Sequence, residues 1–532
     1  MSKTMYWNKD IAVETIDGTP FRMYADRPRR IEDLLAFAEH WPDRACIIQG
    51  GRTVTFAALV SASAAKAAYL LDQGVTRGDR VFILGWNGPD WVLNFWACLR
   101  IGAIPVVGNT WWSEAEFGDA LTLIQPAIVL ADASARSKIA PDAGWTLGTW
   151  EVDETARGHE LPALSAEEAA RLSETDPAAI IFTSGTSGQA KAVLLAHRSL
   201  LSNQMMILHV TRRLPYTPDP GSGDVGLHTG PLFHIGGLHA LIRAVLVGNT
   251  LVFCKGRFDA GEVIKLIEKH RIVRWSAVPT MVTRIIEHPD LPQHDISSLT
   301  AMTMGGSTIS AEYFERVRKV IPSVQARIAT GYGLSENAGQ ATTASGRQTI
   351  EKPGTCGRPM PLTEVRVVPL DGLPDGEILI RAPTQMLRYY GIPETPIDAE
   401  GWLHTGDLGR MDDDGFVWIT GRAKDIIIRG GENIAPAAVE EALTSLPGVS
   451  EAAVFGMPHG ELGEEVMAVV FVEAERTEEQ LKAEVRARLS SFAVPTLWKI
   501  QHDPLPTNQT GKIDKVTLRR TLLAERGNSV VG

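Results

Sequence analysis

One loop in this sequence combines hydroxyl groups, glycines and a lysine in a pattern that suits phosphate binding. The run Phe182-Thr-Ser-Gly-Thr-Ser-Gly-Gln-Ala-Lys191 follows an apolar stretch, residues 178–182, that predicts a strand. Glycine lets backbone N–H groups turn toward a polyphosphate, and the hydroxyls and Lys191 add further donors. The loop does not match the Walker A pattern, because Gly185 is not followed at the right spacing by Gly-Lys-Ser/Thr. Standing alone, such a loop is more often an ordinary turn, so other motifs decide its interpretation.

Four more strings with charged or aromatic residues follow this loop: Gly331-Tyr-Gly-Leu-Ser-Glu336, His404-Thr-Gly-Asp-Leu408, Gly421-Arg-Ala-Lys-Asp425 and Pro506-Thr-Asn-Gln-Thr-Gly-Lys512. In this order, the five strings resemble the adenylate-forming superfamily, which includes acyl-CoA synthetases, the adenylation domains of peptide synthetases, and luciferases. Each string alone is weak or moderate support, but agreement of all five in order by chance is negligible. The resemblance covers about residues 30 to 520, nearly the whole chain.

The resemblance implies that the loop holds the β- and γ-phosphates of ATP. The matching positions are Thr183, Ser184, Gly185, Thr186, Ser187 and Gly188, with Lys191 at the end of the loop. The sequence departs from the family at Ala190 and Ala192, where Pro and Gly are usual, although the hydroxyl and glycine positions are intact. Thr183 also matches a threonine that holds Mg²⁺ together with the carboxylate of Glu336, and Mg²⁺ is a hard cation that prefers oxygen ligands.

The nucleoside part of ATP has matching residues of its own. Tyr332, between Gly331 and Gly333, matches an aromatic residue that stacks on adenine. Asp407 matches a ribose-binding aspartate, since an ionised carboxylate can accept hydrogen bonds from both ribose hydroxyls. Arg422 matches a second contact to ribose or phosphate. A strand end that passes beneath the adenylate is matched by Gly305, Gly306 and Ser307.

The terminal string supplies a candidate catalytic cation. Lys512 matches a lysine that bridges the attacking carboxylate and the α-phosphate, where an ammonium group offsets charge on the pentavalent transition state. Lys424 falls at the hinge position of the family, which implies a large domain over residues 1–423 and a mobile cap over residues 424–532. Gly430 and Gly431 match a cap loop that lines the path of the pantetheine arm of coenzyme A.

The acyl-binding side of the site is represented by the segment Pro231-Leu-Phe-His-Ile-Gly-Gly237. It matches a histidine-containing segment near the reacting carboxylate, which makes His234 a candidate gate between the acyl pocket and the thiol channel. A structural histidine at a strand end is the alternative. Gly236 and Gly237 remove side chains beside this pocket, and its candidate lining residues are Met302, Met304 and Leu334. A medium-chain, aromatic or polycyclic acid fits these features, and the sequence does not select among them.

Taken together, the resemblance implies an ATP-dependent acyl-CoA synthetase that makes acyl-AMP, releases pyrophosphate and passes the acyl group to coenzyme A, with Lys512, His234 and Glu336 as catalytic residues. Amino-acid activators place an aspartate where Phe233 and His234 stand, and no carrier domain is expected after Lys512. A free-standing acyl- or aryl-AMP ligase that loads a separate carrier protein is therefore the alternative. Luciferase chemistry has no positive sign here. A non-catalytic regulator on the same fold is disfavoured, because the charged residues of the motifs are retained.

The bulk composition is that of an ordinary globular protein. The chain has 532 residues, of which 44% are hydrophobic and 22% charged, and its formal net charge is −11. No block of Lys and Arg indicates a nucleic-acid partner. The first twenty residues lack the apolar core of a secretory signal and no stretch reads as a transmembrane span, so a cytoplasmic location is expected. Self-association as a homodimer is left open. The four cysteines lie far apart, which favours reduced and mostly buried thiols over a metal site.

The elements that must position these residues alternate along the chain. Strands predicted at 45–49, 80–84, 104–107 and 127–131 are separated by helices at 56–71 and 90–99, and a second run of this kind extends from about 176 to 328. Such alternation predicts two doubly wound α/β subdomains with parallel sheets. Short strands between about 355 and 420 predict a small β-barrel or sheet. The last hundred residues predict an α+β domain, so the expected fold is a large α/β N-terminal domain followed by a smaller, mobile α+β C-terminal domain.

Overall fold

The computed structural model describes residues 7–139, 144–156, 161, 170–183, 190–304, 311–324, 327–370, 372–373, 375–507 and 512–529. These residues form two compact units. The first comprises the described residues of Met1–Gly305, Ile309–Glu364 and Ile380–Leu403, and the second comprises those of Val365–Leu379 and His404–Gly532. The predicted domain division at Lys424 marks a hinge for rotation of the C-terminal domain, whereas the two units are defined by how the chain packs. The hinge stays a prediction.

The first unit alternates strands and helices over most of its length. Its elements up to the phosphate loop are β1 (Ile11–Ile16), β2 (Thr19–Tyr24), β3 (Ala45–Gln49), β4 (Arg52–Thr55), α1 (Phe56–Asp72), β5 (Arg80–Leu84), α2 (Pro89–Arg100), β6 (Ile104–Val107), α3 (Glu114–Ile124), β7 (Ile128–Ala131), α4 (Ala133–Arg136), β8 (Leu147–Gly148) and β9 (Pro177–Thr183). After the loop come β10 (Lys191–Ala196), α5 (His197–Val210), β11 (Val225–His228), α6 (Ile235–Val247), β12 (Thr250–Phe253), α7 (Ala260–His270), β13 (Arg274–Ala277), α8 (Pro279–Ile286), β14 (Ala301–Met304), α9 (Ala311–Val320) and β15 (Ile328–Thr330).

Shorter elements follow, and then the terminal α+β part. They are β16 (Gly333–Leu334), β17 (Gly339–Gln340), β18 (Thr342–Ser345), α10 (Gln348–Glu351), β19 (Arg358–Pro359), β20 (Glu364–Pro369), β21 (Gly376–Arg381), β22 (Arg388–Tyr389), β23 (Leu403–Met411), β24 (Val417–Arg422), β25 (Ile427–Arg429), β26 (Glu432–Ile434), α11 (Pro436–Thr444), β27 (Val449–His459), β28 (Gly463–Val472), α12 (Glu478–Arg486), β29 (Leu497–Gln501) and α13 (Lys515–Ser529). A nine-residue 3-10 helix spans Glu32–His40, and single 3-10 turns lie at Leu291–Gln293, Pro322–Val324, Ser335–Asn337 and Ala423–Asp425.

Two large sheets organise the first unit. One has the strand order β22-β10-β9-β6-β5-β7-β8, and its strands from β9 to β8 pair in parallel. The other has the order β19-β18-β15-β14-β13-β11-β12-β3-β4, and its strands from β15 to β3 pair in parallel. Parallel strands joined by helices place loops at their carboxyl ends, where α/β proteins bind ligands. The prediction of two doubly wound subdomains is confirmed.

Helix α1 shows how local sequence and packing agree in these layers. The side chain of Thr55 accepts a hydrogen bond from the Ala58 N–H and so caps the first turn. One face of the helix, which includes Leu59, Ala62 and Leu70, is completely buried. Helix α2 packs against α1 and is buried almost throughout, with Trp91, Phe95 and Trp96 in the core. The most apolar part of the sequence is therefore an internal layer.

The second unit contains two further sheets. Strands β20, β21, β23 and β24 form a four-stranded sheet in that order, which is the small β-structure predicted between about 355 and 420. The terminal sheet has the order β26-β25-β28-β27, with β29 added in parallel to β28. Helices α11 and α12 pack on it through Val439, Leu443, Leu481 and Val485. The predicted α+β character of the C-terminal part is confirmed, as is the fold class of the chain.

The cysteines are free, as predicted. Cys46, Cys98 and Cys254 are buried, and Cys356 is half-buried. Among the described helices, none has both the length and the apolar character needed to cross a membrane.

Candidate active site

The candidate phosphate loop joins two adjacent antiparallel strands of the first unit. Thr183 at the end of β9 and Lys191 at the start of β10 lie opposite each other in the register. The sheet therefore holds both ends of the loop together. The predicted residues Ser184, Gly185, Thr186, Ser187 and Gly188 lie outside the described part of the chain.

A tyrosine that the motifs did not single out connects Lys191 to Glu336. Tyr389 lies on β22, beside β10, and its ring centroid is 4.7 Å from the Lys191 Nζ. Its hydroxyl donates a hydrogen bond to Glu336 Oε1 at 2.9 Å. Burial raises the pKa of Tyr389, and the charge of Glu336 raises it further, so the hydroxyl stays protonated as a donor. Tyr389 belongs to none of the five strings, and its sequence context, Met386-Leu-Arg-Tyr-Tyr390, carries no motif that would have predicted this contact.

Glu336 is held by the backbone as well as by Tyr389. It lies in the 3-10 turn Ser335–Asn337, and its carbonyl oxygen accepts a hydrogen bond from the Met386 N–H at 2.8 Å. The next residue, Asn337, is fully buried and accepts a hydrogen bond from the Thr384 hydroxyl at 2.8 Å. The segment that precedes β22 therefore fixes the turn on two sides, which gives the Glu336 carboxylate a defined direction.

The donor set of Thr183 and Glu336 fits Mg²⁺ bound to a nucleotide. Mg²⁺ in such sites usually takes one or two carboxylate or hydroxyl oxygens from the protein and completes its shell with phosphate oxygens and water. Among the described residues, no group of three or more His, Cys, Asp and Glu side chains could hold a metal by itself. The residues present thus suit a metal that arrives with ATP rather than one held permanently by the protein.

Tyr332 lies in a tight hairpin whose glycines are required by packing. Its carbonyl oxygen accepts hydrogen bonds from the N–H groups of Ala341 and Thr342. A side chain at Gly333 would lie 2.1 Å from the Gly339 carbonyl, and one at Gly331 would lie 2.5 Å from the Thr342 carbonyl. The hairpin therefore tolerates only glycine on either side of the tyrosine. Gly305, Gly306 and Ser307 lie outside the described residues.

His234 stands at the start of helix α6, in a loop that is anchored to the first sheet. The Asn87 side chain donates to the Gly230 carbonyl at 2.7 Å and accepts from the Leu232 N–H at 2.8 Å. The His234 ring contacts Phe233, with 4.7 Å between centroids, and Phe233 in turn meets the edge of Trp111. The histidine is half-buried. This position is compatible with the predicted gate, which stays a prediction.

The proposed acyl pocket residues fall into two groups. A side chain at Gly236 would meet open space, whereas one at Gly237 would lie 2.5 Å from the Leu232 Cα. Gly237 is thus needed for packing and only Gly236 leaves room. Met302 and Met304 are buried in the core of the second sheet, on the opposite face of β14 from the exposed Thr303. Their alternation therefore places them in the core.

In the second unit, Asp407 and Arg422 form an ion pair across two strands. They are register partners on β23 and β24, and the Arg422 Nε donates to Asp407 Oδ1 at 2.8 Å. Asp407 is only 4% exposed, whereas the Arg422 side chain is 47% exposed. The Thr405 hydroxyl accepts a hydrogen bond from the Asp407 N–H. A sheltered carboxylate beside an accessible guanidinium is able to bind polar and anionic groups together.

Lys512 belongs to the same cluster of charges. Thr507 and Ile513 form an isolated antiparallel bridge, and Lys512, which precedes Ile513, is exposed. The surrounding protein lowers the pKa of Lys512 by desolvation, Arg422 lowers it further, and Asp407 acts in the opposite direction. The same two residues act on Lys424, whose pKa desolvation also lowers. Arg422, Lys424 and Lys512 therefore interact electrostatically with Asp407, and Asp425 acts on Lys424 as well. A local excess of cations favours the binding of a polyanion.

Gly430 and Gly431 form the turn between β25 and β26. Their φ angles are +59° and +90°. This combination is typical of two-residue hairpin turns, and residues other than glycine rarely adopt it. The Gly430 N–H donates to the Leu462 carbonyl at 2.8 Å. A side chain at Gly431 would contact nothing within 4 Å, so the conformation alone requires glycine there. The coenzyme A role of this turn stays a prediction.

Comparison with known proteins places these features in a family. The profile described as AMP-binding enzyme matches residues 34–390, and the profile described as AMP-binding enzyme C-terminal domain matches residues 438–512. The first match includes the phosphate loop and the Tyr332 hairpin, and the second ends at Lys512, while Asp407, Arg422 and Lys424 lie between the two matches.

Individual proteins agree with the profiles. The chain is 30% identical to a long-chain-fatty-acid–CoA ligase of Bacillus subtilis (strain 168), covering 92% of this chain and 93% of that protein. It is 32% identical to a feruloyl-CoA synthase of an Amycolatopsis species, covering 90% and 96%. Its structure is similar to that of the O-succinylbenzoate coenzyme A synthetase MenE of Bacillus subtilis in complex with ATP and magnesium ion, with a TM-score of 0.76, 28% identity and coverage of 91% and 98%.

The resemblance found in the five strings is therefore confirmed, and the predicted enzyme class, an acid–thiol ligase, is the class of these CoA ligases. This chain belongs to the AMP-binding enzyme family.

Proposed function

We propose that this protein is an AMP-forming acyl-CoA synthetase. It activates a carboxylic acid with ATP as an acyl-adenylate, releases pyrophosphate, and transfers the acyl group to the thiol of coenzyme A. The observation that carries this proposal is the cluster of Asp407, Arg422 and Lys512, because adenylate formation needs both a ribose-binding acceptor and cations that offset phosphate charge.

In the first half-reaction, a carboxylate oxygen of the acid attacks the α-phosphorus of ATP and pyrophosphate leaves. Lys512 holds the carboxylate and the α-phosphate together and offsets the charge that accumulates on the phosphorus oxygens. Asp407 accepts hydrogen bonds from the ribose, and Arg422 binds ribose or phosphate. Tyr332 stacks on the adenine.

The phosphate end of ATP is assigned to the hairpin of β9 and β10. Thr183, Lys191 and the loop between them, Ser184 to Gly188, bind the β- and γ-phosphates. Thr183 and Glu336 hold Mg²⁺, which when bound neutralises phosphate charge and helps orient the nucleotide. Tyr389 positions the Glu336 carboxylate through its hydrogen bond and stacks against Lys191, so it couples the metal ligand to a phosphate-binding cation.

In the second half-reaction, the sulfur of coenzyme A attacks the acyl carbonyl carbon and AMP leaves. His234 is proposed to gate the passage between the acyl pocket and the thiol. The turn at Gly430 and Gly431 is proposed to line the path of the pantetheine arm, and Lys424 to be the hinge that brings the turn into place. Coenzyme A as acceptor is supported by the CoA ligases among the relatives.

The proposal is tested by identifying products and acceptor. The purified protein is incubated with Mg²⁺, ATP and a panel of carboxylic acids, and nucleotides and thioesters are measured by chromatography and mass spectrometry. We expect AMP and pyrophosphate in equal amounts, exchange of labelled pyrophosphate into ATP without coenzyme A, and a CoA thioester when it is added. ADP and phosphate as primary products would contradict adenylation. Acyl transfer to a phosphopantetheinylated carrier protein but not to coenzyme A would replace the synthetase by a carrier-loading ligase.

A cytoplasmic location, a homodimer and the absence of a nucleic-acid partner stay predictions from the sequence.

A further inference from the structure

Helix α6 carries a stripe of accessible residues in an otherwise buried helix. Gly236 is exposed, and His239, Ala240 and Arg243 are half-buried, whereas the last turn from Ala244 to Val247 is buried. These positions recur every three or four residues, so they share one face of the helix. The stripe starts next to His234 and ends at Arg243. At about 1.5 Å per residue, these two ends are roughly 13 Å apart along the helix axis.

A chain of hydrogen bonds fixes the side chain of Arg243. Its Nε donates to Gln204 Oε1 at 3.2 Å, and the Gln204 amide nitrogen lies 2.7 Å from His239 Nδ1. His239 Nε2 lies 2.6 Å from the Ala338 carbonyl oxygen. A carbonyl can only accept, so Nε2 carries the ring proton and Nδ1 accepts from the glutamine amide. Burial lowers the pKa of His239 to about 4, which keeps the ring neutral in this role.

This network is attached to the segment that carries Glu336. Ala338 directly follows the turn Ser335–Asn337, and a side chain at Gly339 would lie 2.8 Å from His239 Nε2. Asn203, next to Gln204 on α5, donates to the Gln340 carbonyl at 3.1 Å. The network and the proposed metal-binding carboxylate are therefore neighbours on one short stretch of chain.

Arg243 itself has donor capacity that the protein does not use. Its Nη2 is buried, and within the described part of the chain no atom accepts a hydrogen bond from it. Burial lowers the pKa of Arg243 to about 9, and repulsion from Arg274 and Arg213 acts in the same direction. The group is still cationic at neutral pH. A buried cation with an unsatisfied donor is costly, and a ligand that supplies an anionic acceptor would offset that cost.

We propose that Arg243, positioned by Gln204 and His239, binds a second carboxylate at the end of the substrate acid distal to the carboxylate that is activated. The inference rests on the proposed function, since it places the acyl chain along the α6 stripe that starts at His234. It assigns the substrate to the dicarboxylic acids whose two carboxylates are separated by roughly the length of that stripe, about 13 Å. Such an acid would have one end at the adenylating machinery and the other at the guanidinium.

The test compares three acids of equal length that end in a methyl group, a ketone or a carboxylate, each assayed for AMP release and CoA thioester formation. The wild-type protein should use the carboxylate-ended acid with a kcat/KM roughly ten- to a hundredfold above that of the methyl-ended acid, the range of a charge-assisted hydrogen bond. Arg243→Met should abolish this preference by lowering kcat/KM for the carboxylate-ended acid to the level of the methyl-ended acid. Arg213→Met, which removes a nearby charge but not the donor, should retain it.

A second variant tests the same inference in case the Arg243→Met protein does not fold. Gln204→Glu has nearly the same shape and places an internal carboxylate beside the guanidinium, so it should also suppress the preference for the dicarboxylic acid. Equal use of all three acids by the wild-type protein, or a preference that survives both variants, overturns this inference while AMP formation upholds the proposed function. Failure of every acid to yield AMP overturns the proposed function and this inference with it. A preference for the ketone over the carboxylate shows that the site accepts a neutral group and also overturns the assignment.

Discussion

At the scale of single residues, the site depends on charges whose positions are set by neighbours rather than by the motifs alone. Asp407 shows this, because the strand pairing that buries it also places Arg422 opposite. Its carboxylate raises the pKa of Lys512, against the lowering by desolvation and by Arg422. Loss of that charge should therefore affect both the proposed nucleotide binding and the environment of Lys512.

The variant Asp407→Asn tests this role with little change of shape. We expect kcat/KM for ATP to fall by at least about a hundredfold, because two charge-assisted hydrogen bonds of about 1.5 to 3 kcal/mol each would be weakened. Unfolding should remain one cooperative transition. Asp413→Asn, in the exposed turn at the other end of the same hairpin, is the control and should behave as wild type. Unchanged ATP kinetics in a folded Asp407→Asn protein would remove this residue from the site.

The variant Tyr389→Phe distinguishes the contribution of the Tyr389 hydroxyl from that of its ring. The phenylalanine keeps the ring near Lys191 but removes the hydrogen bond to Glu336. Loss of a bond worth about 1 kcal/mol should raise the Mg²⁺ concentration needed for half-maximal adenylation several-fold. Titration of pyrophosphate exchange with Mg²⁺ measures this effect. Tyr390→Phe is the matched control, and a Mg²⁺ requirement equal in the two variants would argue against positioning by Tyr389.

At the scale of elements, the sequence predicted conformation better than it predicted partners. Strands 45–49, 80–84 and 104–107 were placed at the bounds that the structure has, because short apolar runs between helices with clear turn residues leave few other conformations. The first of them was assigned to the first α/β run, yet β3 pairs with β12, some two hundred residues later. The hydrophobic pattern of a strand predicts which of its faces is buried, but it does not predict which other strand pairs with it.

The same limit applies to the site. The five strings predict roles for Glu336, Asp407 and Lys512 because each residue lies in a short run with a fixed order of residue types, and these roles stay predictions. The strings do not include Tyr389, because its contacts arise from the pairing of β22 with β10, which brings it beside Lys191 only in the folded sheet. Met302 and Met304 are candidate pocket residues in the sequence. Because side chains alternate along β14, both lie on the face of the strand that packs in the core.

The turn between β25 and β26 provides an element-scale prediction. Gly431→Ala adds no clash, but it forces an alanine to φ near +90°, which costs about 1 kcal/mol or more in the turn. If this turn lines the pantetheine path, thioester formation should slow while pyrophosphate exchange stays near wild type. Gly460→Ala, at a site with open space and no positive φ, serves as the control. Equal slowing of both activities would indicate a general loss of stability instead.

At the scale of the whole molecule, the two proposed half-reactions, adenylation and thiol transfer, need different surroundings of the reacting carboxylate. The positions of Asp407, Arg422 and Lys512 in the second unit suit the proposed adenylation step, because Asp407 and Arg422 act electrostatically on Lys512. Thiol transfer needs an open channel and no cation at the carboxylate. A rotation at Lys424 would satisfy both needs in turn, and it would also part helix α11 from β24, which pack together here.

Separate measurement of the two half-reactions tests this rotation. Lys512→Ala should lose at least about two orders of magnitude in adenylation, the range for removal of one preorganised electrostatic contact. It should still convert a chemically prepared acyl-adenylate and coenzyme A to thioester at a near wild-type rate. Lys424→Pro, which stiffens the backbone, should do the reverse. If both variants slow both half-reactions equally, the terminal domain does not alternate.

The burial of the cysteines also affects how readily their thiols could react with an acyl-adenylate. An acyl-adenylate is a mixed anhydride that acylates thiolates, so any ionised cysteine in the protein would compete with the co-substrate. Burial raises the pKa of Cys98 and Cys254 to about 12 and that of Cys356 to about 11. At pH 8, a thiol with a pKa of about 12 is ionised in only about one molecule in ten thousand. If the proposed acyl-adenylate forms, this low ionised fraction would protect the chain against self-acylation before coenzyme A binds. Intact-protein mass spectrometry after incubation with acid and Mg²⁺–ATP, without coenzyme A, should show no hydroxylamine-labile adduct, and an adduct on any cysteine would refute this protection.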